Sequence, residues 1–138
     1  MEKALIDTNI LLDVLANREP YVGASKRLWE LSEVNEIEGV ISAISFNNIY
    51  YIVRKIGGRD IAQKAVENLR GIFSTAVVDE KIISQAIESD IDDFEDAIQY
   101  YCGIRAGCRF LITRNPLDFP KKTTLQIITP ELFLEMRG

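Results

Sequence analysis

Three groups of side chains have the types and spacing for chemistry on a metal ion or a phosphate. Asp7 ends an apolar run over residues 3–6 and is followed by Thr8 and Asn9. A helix starting there offers free N–H groups that suit a phosphate or an ordered carboxylate; Asp-Thr-Asn reads equally well as a simple capping turn. The second group is Asp92-Asp93-Phe94-Glu95-Asp96. Asp93 and Asp96 are three apart, on one face of a helix, and such like charges repel unless a cation lies between them or solvent screens them. The helix dipole by itself also favours acids at such a start. The third group, Thr113-Arg114-Asn115-Pro116-Leu117-Asp118, follows another apolar run and contains an Asn-Pro turn signal. An ordinary turn with Asp118 as its polar member explains it as well.

The chain has no histidine. Histidine-dependent triads and His-rich zinc sites are therefore excluded. Hydrolysis here would fall to carboxylates and a hard, oxygen-seeking ion, Mg²⁺ or Mn²⁺. Cys102 and Cys108 are too few for a disulfide framework and lack partners for zinc, so they read as small apolar core residues.

The elements that must hold these groups alternate from end to end. Strand-like runs fall at residues 3–6, 39–41, 75–78, 109–113 and 125–128. Helical periodicity covers residues 10–16, with Thr8 or Asn9 as N-cap, and 20–34, with Pro20 in the first turn and Ala24, Leu28, Leu31 and Val34 on one face. Further helices are expected over 44–56, closed by Gly57-Gly58, over 60–69, capped by Asp60, and over 81–87. Asp93 starts one that runs to about residue 105, and Pro130 opens the last. Phe46, Ile49, Tyr50, Tyr51 and Ile52 are too many apolar residues for one helical face, which calls for a wholly buried helix or a partner. Alternation of this kind implies a central, mostly parallel sheet of about five strands with helices on both faces, and ligands bind such sheets at the carboxyl ends of the strands. The three acidic groups all fall at those ends or on the helix between them.

At 138 residues the chain is sized for one domain over 1–138, and 47% hydrophobic with 27% charged residues is an ordinary globular balance. No apolar run reaches membrane-spanning length, and the N-terminus lacks the shape of a signal peptide, so a cytoplasmic protein is expected. The net charge of −5 argues against tight generic binding to nucleic acid, but not against a site that reaches phosphates through divalent ions.

Taken in order, four segments resemble the PIN-domain family, in particular its VapC-like toxin ribonucleases. They are Ala4-Leu5-Ile6-Asp7-Thr8-Asn9-Ile10-Leu11-Leu12-Asp13, Ile41-Ser42-Ala43-Ile44-Ser45-Phe46-Asn47-Asn48-Ile49, Asp93-Phe94-Glu95-Asp96-Ala97-Ile98-Gln99 and Thr113-Arg114-Asn115-Pro116-Leu117-Asp118-Phe119. The chain departs from the family pattern at Asn48, where the family normally has Glu, and at Asn115, where it often has Asp.

The resemblance implies a PIN-like (Rossmann-like) three-layer α/β/α fold and metal-dependent hydrolysis of RNA phosphodiesters. Asp7 and Asp96 become the principal metal ligands, with Asp93 beside them and Asn115 or Asp118 completing the cluster. Asn48 would orient a water or a phosphate oxygen. Thr8, Asn9, Thr113 and Arg114 become candidate substrate contacts, although a surface ion pair accounts for Arg114 equally well. The implied partners are an RNA substrate, a cognate antitoxin that inserts an Arg or Lys into the acidic pocket, and a second copy in a homodimer. Two other readings remain: a PIN fold that binds RNA or antitoxin without catalysis, suggested by Asn48, and a receiver-like domain with a phosphorylatable Asp. The receiver reading is disfavoured because the foremost acid follows the first strand and no suitably placed Lys follows a late one.

Overall fold

The computed structural model describes residues 1–137. Five strands form one parallel sheet: β1 (Glu2–Ile6), β2 (Ile37–Ser42), β3 (Ser74–Ala76), β4 (Phe110–Ile112) and β5 (Gln126–Ile128), in the order β3-β2-β1-β4-β5. The helices are α1 (Thr8–Leu15), α2 (Val22–Glu33), α3 (Ala43–Gly57), α4 (Arg59–Ile72), α5 (Glu80–Glu88), α6 (Phe94–Arg105) and α7 (Pro130–Arg137). The chain winds outward from β1 through β2 to β3, then returns to build β4 and β5 on the other side. The order therefore switches between β1 and β4, the place where open α/β sheets carry their crevice.

Alternation along the strands fills both faces. Ala4, Ile6, Phe110 and Ile112 join one core with Leu11 of α1, Leu28 of α2 and Phe133 of α7. Leu5 and Leu111 join a second core with Ile82 of α5 and Ala97 and Ile98 of α6. Strands buried on both sides read as continuous apolar runs, which is why β1 and β4 were legible. Cys102 and Cys108 are free, buried thiols in the second core.

Several local expectations shift. The cap of α1 is Asp7 itself, whose carboxylate accepts from the Asn9 amide, so neither Thr8 nor Asn9 caps it. Helix α2 begins at Val22, leaving Pro20 in the preceding turn, and its buried face is Ser25, Leu28, Leu31 and Ser32, with Val34 exposed. Asp60 lies in the first turn of α4 without capping it; Gly58, at φ 89°, occupies the cap position. Helix α3 is not wholly buried. Ser45 and Ile49 are enclosed, whereas Tyr51 is exposed, with the Lys55 ammonium 4.6 Å from its ring centroid.

Candidate acidic site at the strand switch

Asp7 leaves the carboxyl end of β1, and Thr113 leaves the end of β4 beside it. The Thr113 hydroxyl donates to Asp7 Oδ2 at 2.7 Å and is itself fully buried. Asp7 Oδ1 accepts from the Asn9 amide at 3.2 Å and from Gln99 Nε2 at 3.3 Å. Gln99 is oriented by its other end: Oε1 accepts from the Thr8 amide at 3.0 Å, which turns Nε2 toward Asp7. Three neutral donors thus fix a carboxylate that is only 4% exposed.

Helix α6 brings the remaining acids. Asp93 caps it, accepting from the Asp96 amide at 2.9 Å, so the two acids expected on one helix face are its cap and its third residue, and both line the same cleft. Glu95 turns toward α1 and α3. Its Oε2 accepts from the Thr8 hydroxyl at 2.7 Å, and that hydroxyl lies 2.6 Å from Ser45 Oγ. A carboxylate only accepts, so the proton order runs from Ser45 to Thr8 to Glu95.

The Asp96 carboxyl is pushed up to about 7 by burial, and then by the like charges of Asp7, Asp93, Asp118 and Glu95. Among the described residues no Lys or Arg lies within 4.0 Å of any of these five acids. Asp93, Asp96 and Asp118 line an open cleft of about 750 Å³, with Leu117 and Phe119 on its apolar side. Asp7 does not line this cleft.

The other expected residues fall as follows. Asn48 is half-buried on α3, one turn beyond Ser45, and Asn9, Asn115 and Asp118 are exposed. Asn115 touches the site through its backbone, its amide donating to Thr113 Oγ1 at 3.2 Å. Thr8 and Thr113 do not face solvent as substrate contacts would; their hydroxyls are buried and orient Glu95 and Asp7. Arg114 packs its Nε 3.1 Å from Oδ2 of the fully buried Asp13, with its guanidinium carbon 4.0 Å from the Tyr21 ring centroid. The contact is an ion pair without hydrogen-bond alignment. Sequence reading missed Glu95, Gln99 and Ser45. The signal was present in the i, i+4 spacing of Glu95 and Gln99, which puts both on one stripe of α6.

The donors around the crevice are oxygens, and the acids have no counter-cation. Among the described residues no three His, Cys, Asp or Glu side chains form a ready-made metal cage. Mg²⁺ does not need one, since it keeps several waters and is held by one or two carboxylates together with substrate phosphates. The residues present fit a hard divalent ion on that basis.

This is the class of parallel α/β domain that carries an acidic crevice at its strand switch. The PIN domain model matches residues 3–116, and the chain belongs to that family. It is similar to Ribonuclease VapC1 of Aquifex aeolicus (strain VF5), at 23% identity over 138 residues, covering 97% of this chain and 94% of that protein. Among solved structures it is similar in fold to VapBC2 from Rickettsia felis bound to a promoter DNA fragment, with TM-score 0.68, 17% identity and coverage of 92% and 98% of the two chains. Mycobacterium tuberculosis VapC20, described as a sarcin–ricin-loop-cleaving toxin, gives TM-score 0.63, 16% identity and coverage of 78% and 86%.

Proposed function

We propose that this chain, a single PIN unit over 1–138, is a divalent-metal-dependent endoribonuclease and the toxin of a toxin–antitoxin pair. The observation that carries the reading is the set of acids at the β1–β4 switch with, among the described residues, no Lys or Arg within 4.0 Å of any of them. The names of its relatives point the same way: a ribonuclease and a sarcin–ricin-loop-cleaving toxin.

Asp7 and Asp96 would hold the ion, Mg²⁺ or Mn²⁺, with Asp93 and Asp118 adding negative charge on the cleft side. When bound, the ion activates water and neutralises charge growing on the phosphate. The protein's own part is positioning. Thr113, Gln99 and the Asn9 amide lock the Asp7 carboxylate, so its geometry is set before substrate arrives. Asn48 and the exposed Asn9 and Asn115 side chains offer hydrogen bonds to phosphate oxygens. The outer edge of Arg114, turned away from Asp13, offers two N–H groups to the RNA backbone. The same acids would accept an Arg or Lys from an antitoxin, and the exposed apolar residues of α3 suit a homodimer. A cytoplasmic location follows from this role; no helix of the described residues is long and apolar enough to cross a membrane.

The test is cleavage of a mixed RNA pool with Mg²⁺ or Mn²⁺ by the parent, Asp7→Asn and Asp96→Asn. Metal-dependent cleavage lost in both variants is expected. Cleavage that persists in both variants or in EDTA overturns the mechanism. Asn48 favours a second reading, a binding module without catalysis, because an amide contributes no charge to the ion. An inactive parent that gains activity as Asn48→Glu would establish it.

A further inference from the structure

We propose that Arg18, Arg114 and Tyr21 form a subsite for a phosphate and a base of single-stranded RNA, next along the strand from the phosphate at the acidic crevice. The proposal rests on the nuclease reading of that crevice. The group is assembled around Asp13. Helix α1 ends in a turn in which the Asn17 amide donates to the Val14 carbonyl at 3.3 Å and the Arg18 amide to the Asp13 carbonyl at 2.9 Å. Asn17 takes φ 51°, the left-handed conformation that closes such a C-terminal turn. This reversal puts the Arg18 guanidinium 3.9 Å from Asp13 Oδ1, while Arg114, arriving from the end of β4, puts its Nε 3.1 Å from Oδ2. Two guanidiniums thus share one carboxylate, and the group keeps a surplus positive charge.

Neutralising Asp13 needs only one of them. Asp13 is fully buried, Ser25 donates to its Oδ2 at 3.2 Å, and Arg114 is the nearer cation. Arg18 stands too far from Oδ1 for a hydrogen bond, leaves that oxygen without a partner, and keeps its side chain 38% exposed. Tyr21 is exposed as well, with its ring centroid 4.0 Å from the Arg114 guanidinium carbon. Cations beside an exposed aromatic ring are the combination that holds single-stranded nucleic acid: guanidiniums take phosphate oxygens and the ring stacks a base. A chain of net charge −5 needs such a local surplus to hold a polyanion. The subsite also adjoins the crevice. Arg114 directly follows Thr113, whose hydroxyl holds Asp7, and Asp13 lies two helical turns from Asp7, about 9 Å along α1. A strand with one phosphate at the crevice can therefore reach the guanidiniums with a neighbouring one.

The experiment is binding of a fluorescently labelled single-stranded RNA of mixed sequence to the full chain, in EDTA to prevent cleavage. Anisotropy reads it between about 50 and 200 mM KCl. Arg18→Gln leaves the Arg114–Asp13 pair in place and is expected to weaken binding by about tenfold at the lower salt. It should also lower the slope of log Kd against log salt by about 0.7, the share of one phosphate on a single strand. Arg114→Lys keeps a charge for Asp13 but loses the planar fork, so binding should weaken with the slope retained. Tyr21→Ala is expected to cost about tenfold, also at unchanged slope. Arg109→Gln removes the same charge at the amino end of β4, where the arginine lies 3.6 Å from Glu2, and is expected to bind like the parent. Circular dichroism checks folding, and should Arg114→Lys not fold, Arg18→Gln and Tyr21→Ala carry the comparison. Those two variants binding as tightly as the parent overturns the proposal. So does a loss in Arg109→Gln equal to that in Arg18→Gln, which would mark an effect of overall charge, and so does a parent that binds no RNA. Cleavage with Mg²⁺ separates the two levels. If the parent cleaves RNA and Arg18→Gln cleaves it with unchanged KM, only the subsite falls. If the parent binds RNA through these residues but does not cleave it, the subsite stands and the nuclease reading falls.

Discussion

Asp96→Asn should make the metal-free protein more stable while abolishing the proposed nuclease activity. Burial and four neighbouring acids raise the Asp96 carboxyl from 3.8 to about 7. The folded state therefore holds this proton more tightly than the unfolded chain does. Between about pH 4 and pH 7 the unfolded state has lost it and the native state keeps it, so stability falls with rising pH and levels off above about 7. At about 1.4 kcal/mol per pH unit, the rise is worth about 4 kcal/mol for an enclosed group. Asp96 is only half-buried, and solvent screening reduces this to about 2 kcal/mol. The helix dipole opposes it, because an acid in the first turn of α6 gains about 0.5 kcal/mol there. The net gain for asparagine is about 1.5 kcal/mol, or about 5 °C in Tm for a chain of this length.

The assay is thermal unfolding of parent and variant in EDTA. About half of the gap is expected at about pH 5.5, above the isoelectric point near 4.8, and all of it by about pH 8. On the proposed mechanism, divalent ion added at the higher pH should raise the parent's Tm and leave the variant's unchanged, since only the parent would retain the proposed ligand. A gap that does not widen with pH, or a variant less stable than the parent at pH 8, would refute the reasoning about like charges around Asp96.

Two further predictions concern parts of the fold that support the site. Asp13→Ala should destabilise the protein by about 3 kcal/mol in urea unfolding, because it leaves the Arg114 guanidinium facing a buried void; Asp13→Ala/Arg114→Leu should cost less than the single change. Gly39→Ala should cost about 1–3 kcal/mol by the same measurement, since its Cβ would lie 2.5 Å from Ser32 Oγ and 2.7 Å from Phe73 Cδ1.

What the sequence revealed depended on how local each signal was. The five strands were visible because apolar runs such as residues 3–6 need both faces covered, whatever the rest of the chain does. Asp7 and Asp93 stood out as acids at element starts, and both prove to be caps whose carboxylates accept from helix amides. The capping and ligand readings of Asp7 were never exclusive, since one oxygen accepts the Asn9 amide while the other faces Thr113. Glu95 was hidden among five acids in the stretch from Asp90 to Asp96. Which of them points inward depends on where α6 begins, and only the Asp93 cap fixes that rotation. The pairing of Arg114 with Asp13 joins the end of β4 to α1, and nothing local encodes such a contact.

That pairing bears on why the crevice stays acidic. Arg114 directly follows Thr113, the residue hydrogen-bonded to Asp7, and is the cation best placed by sequence to fold over onto the cluster. Asp13 prevents this. It is fully buried on α1, it draws Arg114 Nε to 3.1 Å, and Arg18 stands 3.9 Å from its other oxygen. Burial raises the Asp13 carboxyl, and Arg114 is the largest of the influences that lower it, so the charge on Asp13 depends on that guanidinium. Tyr21, whose ring centroid lies 4.0 Å from the guanidinium carbon, helps to hold the arginine where Asp13 has drawn it. The acids of the crevice are meanwhile held by Thr113, Gln99, Thr8 and backbone amides, all neutral donors that orient a carboxylate without cancelling its charge. Neutral donors at the acids and a captured arginine beside them leave the crevice its negative charge, at the expense of stability that Asp96 makes measurable. An interaction network built only for stability would have let Arg114 neutralise the cluster.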